Sequence, residues 1–152
     1  MSKAESADLI LKLYDLRRED KMREARNWIF GFNPTSADEY FQTMMDPNVG
    51  AYLRMVTSYW DMAGAMVVQG AIDADLFNAT AGEHYMVFAK IQPFLAELRE
   101  KFQNPEAFAN LEKVIMDAPN GAERLAKTAE WLKGIQAQIA AAQAGKADEA
   151  SA

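Results

Sequence analysis

The chain has 152 residues, half of them hydrophobic and a quarter charged, with a formal net charge of −6 and no cysteine. That length and balance suit one domain able to bury a core of its own. The acidity argues against general nucleic-acid or anionic-membrane binding, which rely on clustered Lys and Arg, and the lack of cysteine excludes disulfides, thiol nucleophiles, iron-sulfur clusters and zinc-thiolate sites.

The opening stretch "MSKAESADLILKLYDLRRED" has neither a continuous apolar run nor a small-residue cleavage site, and no later segment is long enough to span a bilayer. A cytoplasmic protein is therefore expected. Leu9, Ile10, Leu13 and Leu16 recur with helical spacing, while Met22, Ala25, Ile29 and Phe32 project to a different face. The slip predicts a bend or a helix junction around Glu19 and Asp20, with Gly31 and "NPTS" closing the region. Between Arg17 and Arg26, five cations interleave with Glu19, Asp20 and Glu24, the pattern of salt bridges along a solvated helix; a partner-binding basic patch is the other reading.

Ser36 is placed to cap a short helix ending near Met45, with Tyr40, Phe41 and Met44 on its apolar face. Asp46 and Pro47 open a long helix that ends at Gly70. Asp73 is the next cap, and Leu76 to Phe102 carries a strong apolar stripe, expected to kink around Ala89 to Pro93 because proline removes a donor and crowds the preceding turn. Asn104 and Pro105 start another helix, "DAPNG" stops it, and a last one runs from about Ala122 to Ala142 through Leu125, Trp131, Leu132, Ile135 and Ile139. No hairpin signal and no internal repeat interrupts this order. The expected fold is all-α: an irregular helical bundle of about five to seven helices, two long central ones packed antiparallel, forming a single domain over residues 1–142 with a disordered tail at 143–152.

Three stretches, "LYDLRREDKMREARNWIF", "YLRMVTSYWDMAGAMVVQGAIDADLF" and "KIQPFLAELREKFQNPEAFANLEKVI", together resemble a bacterial family of small helical proteins known only as a domain of unknown function. The likeness rests on an Arg-bearing first helix followed by a small-residue helix, an aromatic-to-Gly helix ending before "IDADLF", and a Pro followed by an Arg six residues later. It implies a helical bacterial protein and brings no activity with it.

Candidate site residues come from the helical projections. His84, the single histidine, falls in the middle of the stripe made by Phe77, Thr80, Val87, Phe88 and Ile91. It is either a core imidazole satisfied by a carbonyl or a Tyr or Thr side chain, or a ligand-contacting or pH-sensing group. Its neighbour Glu83 projects to the stripe's edge, where a solvated carboxylate is expected. In the long helix, Val49, Tyr52, Leu53, Val56, Trp60, Ala63 and Val67 form one stripe. Asp61 lies off it, in a narrow polar wedge with Arg54, Thr57, Ser58 and Gln69. Met55, Tyr59, Met62 and Met66 line the opposite shoulder. Such a shoulder suits adaptable core, self-association, or a forgiving apolar pocket. Trp28, Trp60 and Trp131 each have apolar helical neighbours, which points to core packing.

Glu-x-x-His pairs, a G-x-S-x-G elbow and a Gly-rich phosphate loop are all missing from the sequence, so no enzyme, metal or cofactor is expected. The expected function is a non-enzymatic helical interaction or regulatory module, working with a protein partner or as a homodimer. The alternative is a sensor or carrier of a small apolar ligand, held between the central helices near His84, Trp60 and the methionines.

Overall fold

A computed structural model describes residues 2–151, which form an all-α, irregular helical bundle. Helix α1 (Lys3–Arg17) is capped by the Ser2 hydroxyl, which accepts from the Glu5 N–H, and α2 (Asp20–Phe30) by Glu19, which accepts from the Met22 N–H at 2.9 Å. The phase slip is thus a junction between two helices, with Arg18 and Glu19 as its corner. Ser36 caps α3 (Ala37–Met44) as expected. Asp46 accepts from the N–H groups of Asn48 and Val49, building a turn from which α4 (Gly50–Val68) starts. Gly70, at φ +83°, ends α4 in a conformation that costs other residues energy.

The stripe from Leu76 to Phe102 is divided more deeply than the expected kink. Asp73 caps α5 (Ala74–Thr80), then Ala81 is extended, α6 (Glu83–Ala89) follows Gly82, and a 3-10 turn over Gln92–Phe94 leads into α7 (Leu95–Lys101). Gly82 adds backbone freedom where α5 stops, and Pro93 can neither donate a hydrogen bond nor tolerate the preceding carbonyl in a continuous helix. Two long central antiparallel helices therefore reduce to one. Helix α4 holds the centre, between α2 and α8 (Ala109–Met116), and nine α-helices form among the described residues because the second long element is split.

Asn104 caps a turn, accepting from the Glu106 N–H, and α8 begins only after Phe108, whose backbone is left-handed at φ +61°. The last helix, α9 (Gly121–Ser151), packs on α6 and α8 through Leu125 and Leu132. It continues past the end expected near Ala142; every described residue after Ile135 is exposed, and Ala152 lies outside the described residues. Alanine-rich sequence favours helix even without tertiary contacts. Trp131 departs from the core expectation: it is 56% exposed, edge-on to Phe30, on the outer face of α9 beside the buried Leu132. No described helix is long and apolar enough to cross a membrane.

Candidate functional site: a methionine groove beside a buried aromatic and arginine cluster

The six residues singled out from the sequence separate into two places beside α4, with one left over. Met55, Tyr59 and Met62 border an open groove of about 510 Å³, completed by Leu16, Glu19, Met22 and Ser58. The α1–α2 junction borders this groove: Leu16 near the end of α1, Glu19 at the corner and Met22 in the first turn of α2 face Met55, Tyr59 and Met62 of α4 across it. Tyr59 is buried except where its ring meets the groove, and its hydroxyl donates to the Leu13 carbonyl, tying α4 to α1. Burial pushes that phenol up to about 12, so it remains a donor at any physiological pH. Leu16 and Met62 are 54% and 40% exposed. Met66 does not reach the groove; it packs half-buried against the core, and its carbonyl accepts the N–H groups of Ala71 and Ile72 where α4 ends.

Trp60 and His84 form the second place. The imidazole is fully buried, with ring centroids of Trp60, Phe77 and Tyr85 at 5.3, 5.1 and 4.7 Å. Neither ring nitrogen has a hydrogen-bond partner among the described residues, which corrects the expectation of a satisfying carbonyl, Tyr or Thr. Aromatic rings from three helices surround the imidazole instead. Burial, reinforced by the positive charges of Arg124 and Arg17, lowers the His84 pKa to about 3. The folded protein holds it neutral.

Around this aromatic cluster lies a network the sequence reading did not assemble. Glu83 is not merely solvated: it accepts a forked pair of bonds from Arg26, the shortest 2.8 Å, and one from Trp60 Nε1 at 3.2 Å. Arg26 also donates to the Arg17 carbonyl, satisfying the C-terminal end of α1. The Arg17 guanidinium lies 5.3 Å from the Trp60 ring centroid, and that of Arg124 lies 4.2 Å from the Tyr85 centroid. So the run from Arg17 to Arg26 divides. Lys21–Glu24 lies along α2 as expected, Arg18 pairs instead with Asp15, and Arg17 and Arg26 turn inward and join four helices.

Asp61 lies in the polar wedge as expected, but the wedge is covered by α8. Half-buried, it accepts from the Leu111 N–H at 2.9 Å and from the Asn110 side chain at 3.3 Å. Those groups belong to the first turn of α8, whose own capping position is Phe108 and offers no side-chain oxygen. Asp61 thus performs from α4 the work of a helix cap.

Beside Trp60 and Phe77 the free space is only about 20 Å³, room for about one water molecule. The arrangement offers an apolar surface at the groove and, behind it, a filled aromatic interior flanked by the Arg26–Glu83 pair. No group of three or more His, Asp or Glu side chains among the described residues is arranged to hold a metal ion.

No curated protein and no solved structure matches the chain. A family model does, over residues 3–117, from α1 through the end of α8, and on that match the chain belongs to the family described as a domain of unknown function, DUF4760.

Proposed function

We propose that the protein is a non-catalytic interaction module of the bacterial cytoplasm, that the methionine groove is its working surface, and that a second copy of the chain is the occupant. The observation that carries this reading is the open groove itself, apolar at its centre although it borders the central helix of the bundle. Methionine side chains adapt to varied apolar surfaces with little strain. A twofold contact presents one patch to itself, which requires an apolar middle and a rim carrying both signs of charge. Leu16 and Met62 supply the middle and Glu19 a charged edge, while Asp15 and Arg18, the chain neighbours of Leu16 and Glu19, pair with each other at 3.9 Å. The apolar-ligand alternative draws less support, since the space beside Trp60 holds no more than a water.

Met62→Glu tests the proposal, because a charge at this exposed edge is tolerated by a monomer and excluded from an apolar contact. Light scattering at micromolar concentration should find the unaltered chain dimeric and Met62→Glu monomeric, with circular dichroism showing an unchanged helical fold. An unaltered chain that stays monomeric throughout, or a Met62→Glu chain that remains dimeric, overturns it.

A further inference from the structure

A second cavity, of about 240 Å³, lies at the C-terminal end of α6, between the loop over residues 33–35 and α9. Its lining includes two lysines, Lys90 and Lys133, the side-chain amides of Asn33 and Gln136, and apolar walls from Phe94 and Leu132. No carboxylate lines it, and the acid that pairs with Lys133 is the exposed Glu130, at 3.7 Å outside the lining. In a chain of net charge −6, that is an unusual local balance.

Lys90 sets the chemistry. The residue is only 6% exposed, and its ammonium donates to the Phe32 carbonyl at 2.7 Å, to Asn33 Oδ1 at 2.8 Å and to the Phe30 carbonyl at 3.4 Å. Its hydrogen-bonding capacity is therefore used, yet all three acceptors are neutral and no described acid lies within ion-pair distance. A buried cation normally has a counter-charge. Carbonyls at the C-terminal end of α2 offset part of the charge through the helix dipole. Burial lowers the Lys90 pKa to about 8, the direction expected when compensation is incomplete. The Phe30 contact is long enough to be exchanged for a ligand oxygen at small cost. Gln136 donates to the same Asn33 oxygen at 2.6 Å, so α9 is tied across the cavity mouth. Since the family match stops at residue 117, the wall formed by α9 comes from outside the matched domain.

We infer that this cavity binds a small organic carboxylate with a compact apolar body, its charge beside Lys90 and Lys133 and its body against Phe94 and Leu132. The inference is independent of the groove and of the oligomeric state. Inorganic phosphate would satisfy the charge but not the walls, and a neutral alcohol the walls but not the charge.

The test is an NMR titration of the full chain with benzoate, benzyl alcohol and inorganic phosphate in parallel, following the amides of Ala89, Lys90, Lys133 and Gln136 and the Lys90 side chain. Benzoate should give saturable shifts confined to these positions and should raise the midpoint of the Lys90 side-chain titration, because a nearby anion favours the ammonium. Lys133→Gln, a change at an exposed position, should weaken benzoate about three- to fivefold, the contribution of one solvated charge. Lys90→Met should abolish the saturable shifts if it folds, and the Lys133→Gln and side-chain results decide the matter if it does not. Absence of saturation, equal shifts with benzyl alcohol, or an unmoved Lys90 titration would refute the inference. Saturable shifts with phosphate as strong as those with benzoate would do the same for its apolar part.

Discussion

The two flanks of α4 invert the usual link between polarity and burial. Toward α8 the helix presents Thr57, Asp61 and Gly64, polar or small residues that are nonetheless covered. The Thr57 hydroxyl donates back to the Leu53 carbonyl at 2.9 Å, and Asp61 accepts from the first turn of α8. Toward the α1–α2 junction it presents Met55 and Met62, apolar side chains that border open space. Burial here is decided by how close a neighbour's backbone can come. Gly64 lets α8 approach until a side-chain carbon would lie 2.7 Å from the Asn110 carbonyl oxygen, and Asp61 satisfies the donors that this approach brings in. On the other flank the corner at Arg18 and Glu19 holds no such complement, and the methionines edge a notch they do not fill.

The sharpest way to break that comparison is Gly64→Leu. Helix propensity alone would favour the change by about 1 kcal/mol. The Asn110 carbonyl leaves no room, so separating α4 from α8 should cost about 3 kcal/mol or more, as overpacking at a backbone contact does. Urea denaturation reads the difference, and a stabilised variant would show that the close approach is dispensable.

The interior beyond Trp60 gives the next largest effect, and it depends on pH. With its folded pKa near 3 against an ordinary value of 6.5, His84 stays neutral in the folded chain while the unfolded chain takes up a proton. Stability is complete above pH 6.5 and falls as the pH drops through that value, by about 1.4 kcal/mol per pH unit. Groups facing the ring reinforce the sign: Arg17 from α1 and Arg124 from α9 oppose its protonation, and Glu83, the adjacent carboxylate, is already held by Arg26 and Trp60. Carboxylates of lowered pKa such as Glu39 add their own loss only below about 4.5, the usual value for the group. Between pH 6.5 and 4.5 the expected loss is therefore about 3 kcal/mol from His84 alone. His84→Phe should flatten the profile in that window, and denaturation curves at three pH values would reveal an unchanged slope if the imidazole were not responsible.

Asp61→Ala comes next, with an expected cost of about 1–2 kcal/mol for a lost helix cap. Asp61→Asn retains an oxygen for the Leu111 N–H and should lose less than half of that. Thermal denaturation of the pair separates acceptor from charge: equal losses would mean that the carboxylate's charge, rather than its geometry, holds the first turn of α8.

These residues show where legibility in the sequence stops. Local chemistry was readable: Ser36 and Asp73 cap helices that begin one residue later, and the break near Glu19 follows from a slip in apolar phase. The apolar stripe of α4 was equally plain, because one helix generates its own periodicity. Asp61, by contrast, serves donors about fifty residues downstream, and Arg26 pairs with Glu83 across a still longer separation; neither spacing leaves a trace in a local pattern. Pro93 announced a kink without saying that the element would also part at Gly82 and divide into three helices and a turn. Of the candidate site, the methionine shoulder was visible as a composition, but whether it was covered depended on the path of α1 and α2. Lys90 carried no signal at all, since its burial arises only when the end of α2 and the end of α6 meet.

The smallest effect is also the most discriminating for the open flank. Met62 and Met66 lie four residues apart on one helix and would be treated alike by any periodicity argument. In the folded chain Met62 is 40% exposed at the groove, whereas Met66 packs half-buried against the core. Met62→Glu should therefore change monomer stability by no more than about 0.5 kcal/mol, the range of ordinary surface substitutions. Met66→Lys places an ammonium against apolar neighbours and should cost about 2 kcal/mol, with its long stem relieving part of the penalty by reaching toward solvent. Denaturation of each variant at concentrations too low for association removes any contribution from a second copy. Matched losses would mean that the groove closes in solution and that the two methionines share one environment. A difference in the stated order places the boundary between core and working surface inside a single turn of α4.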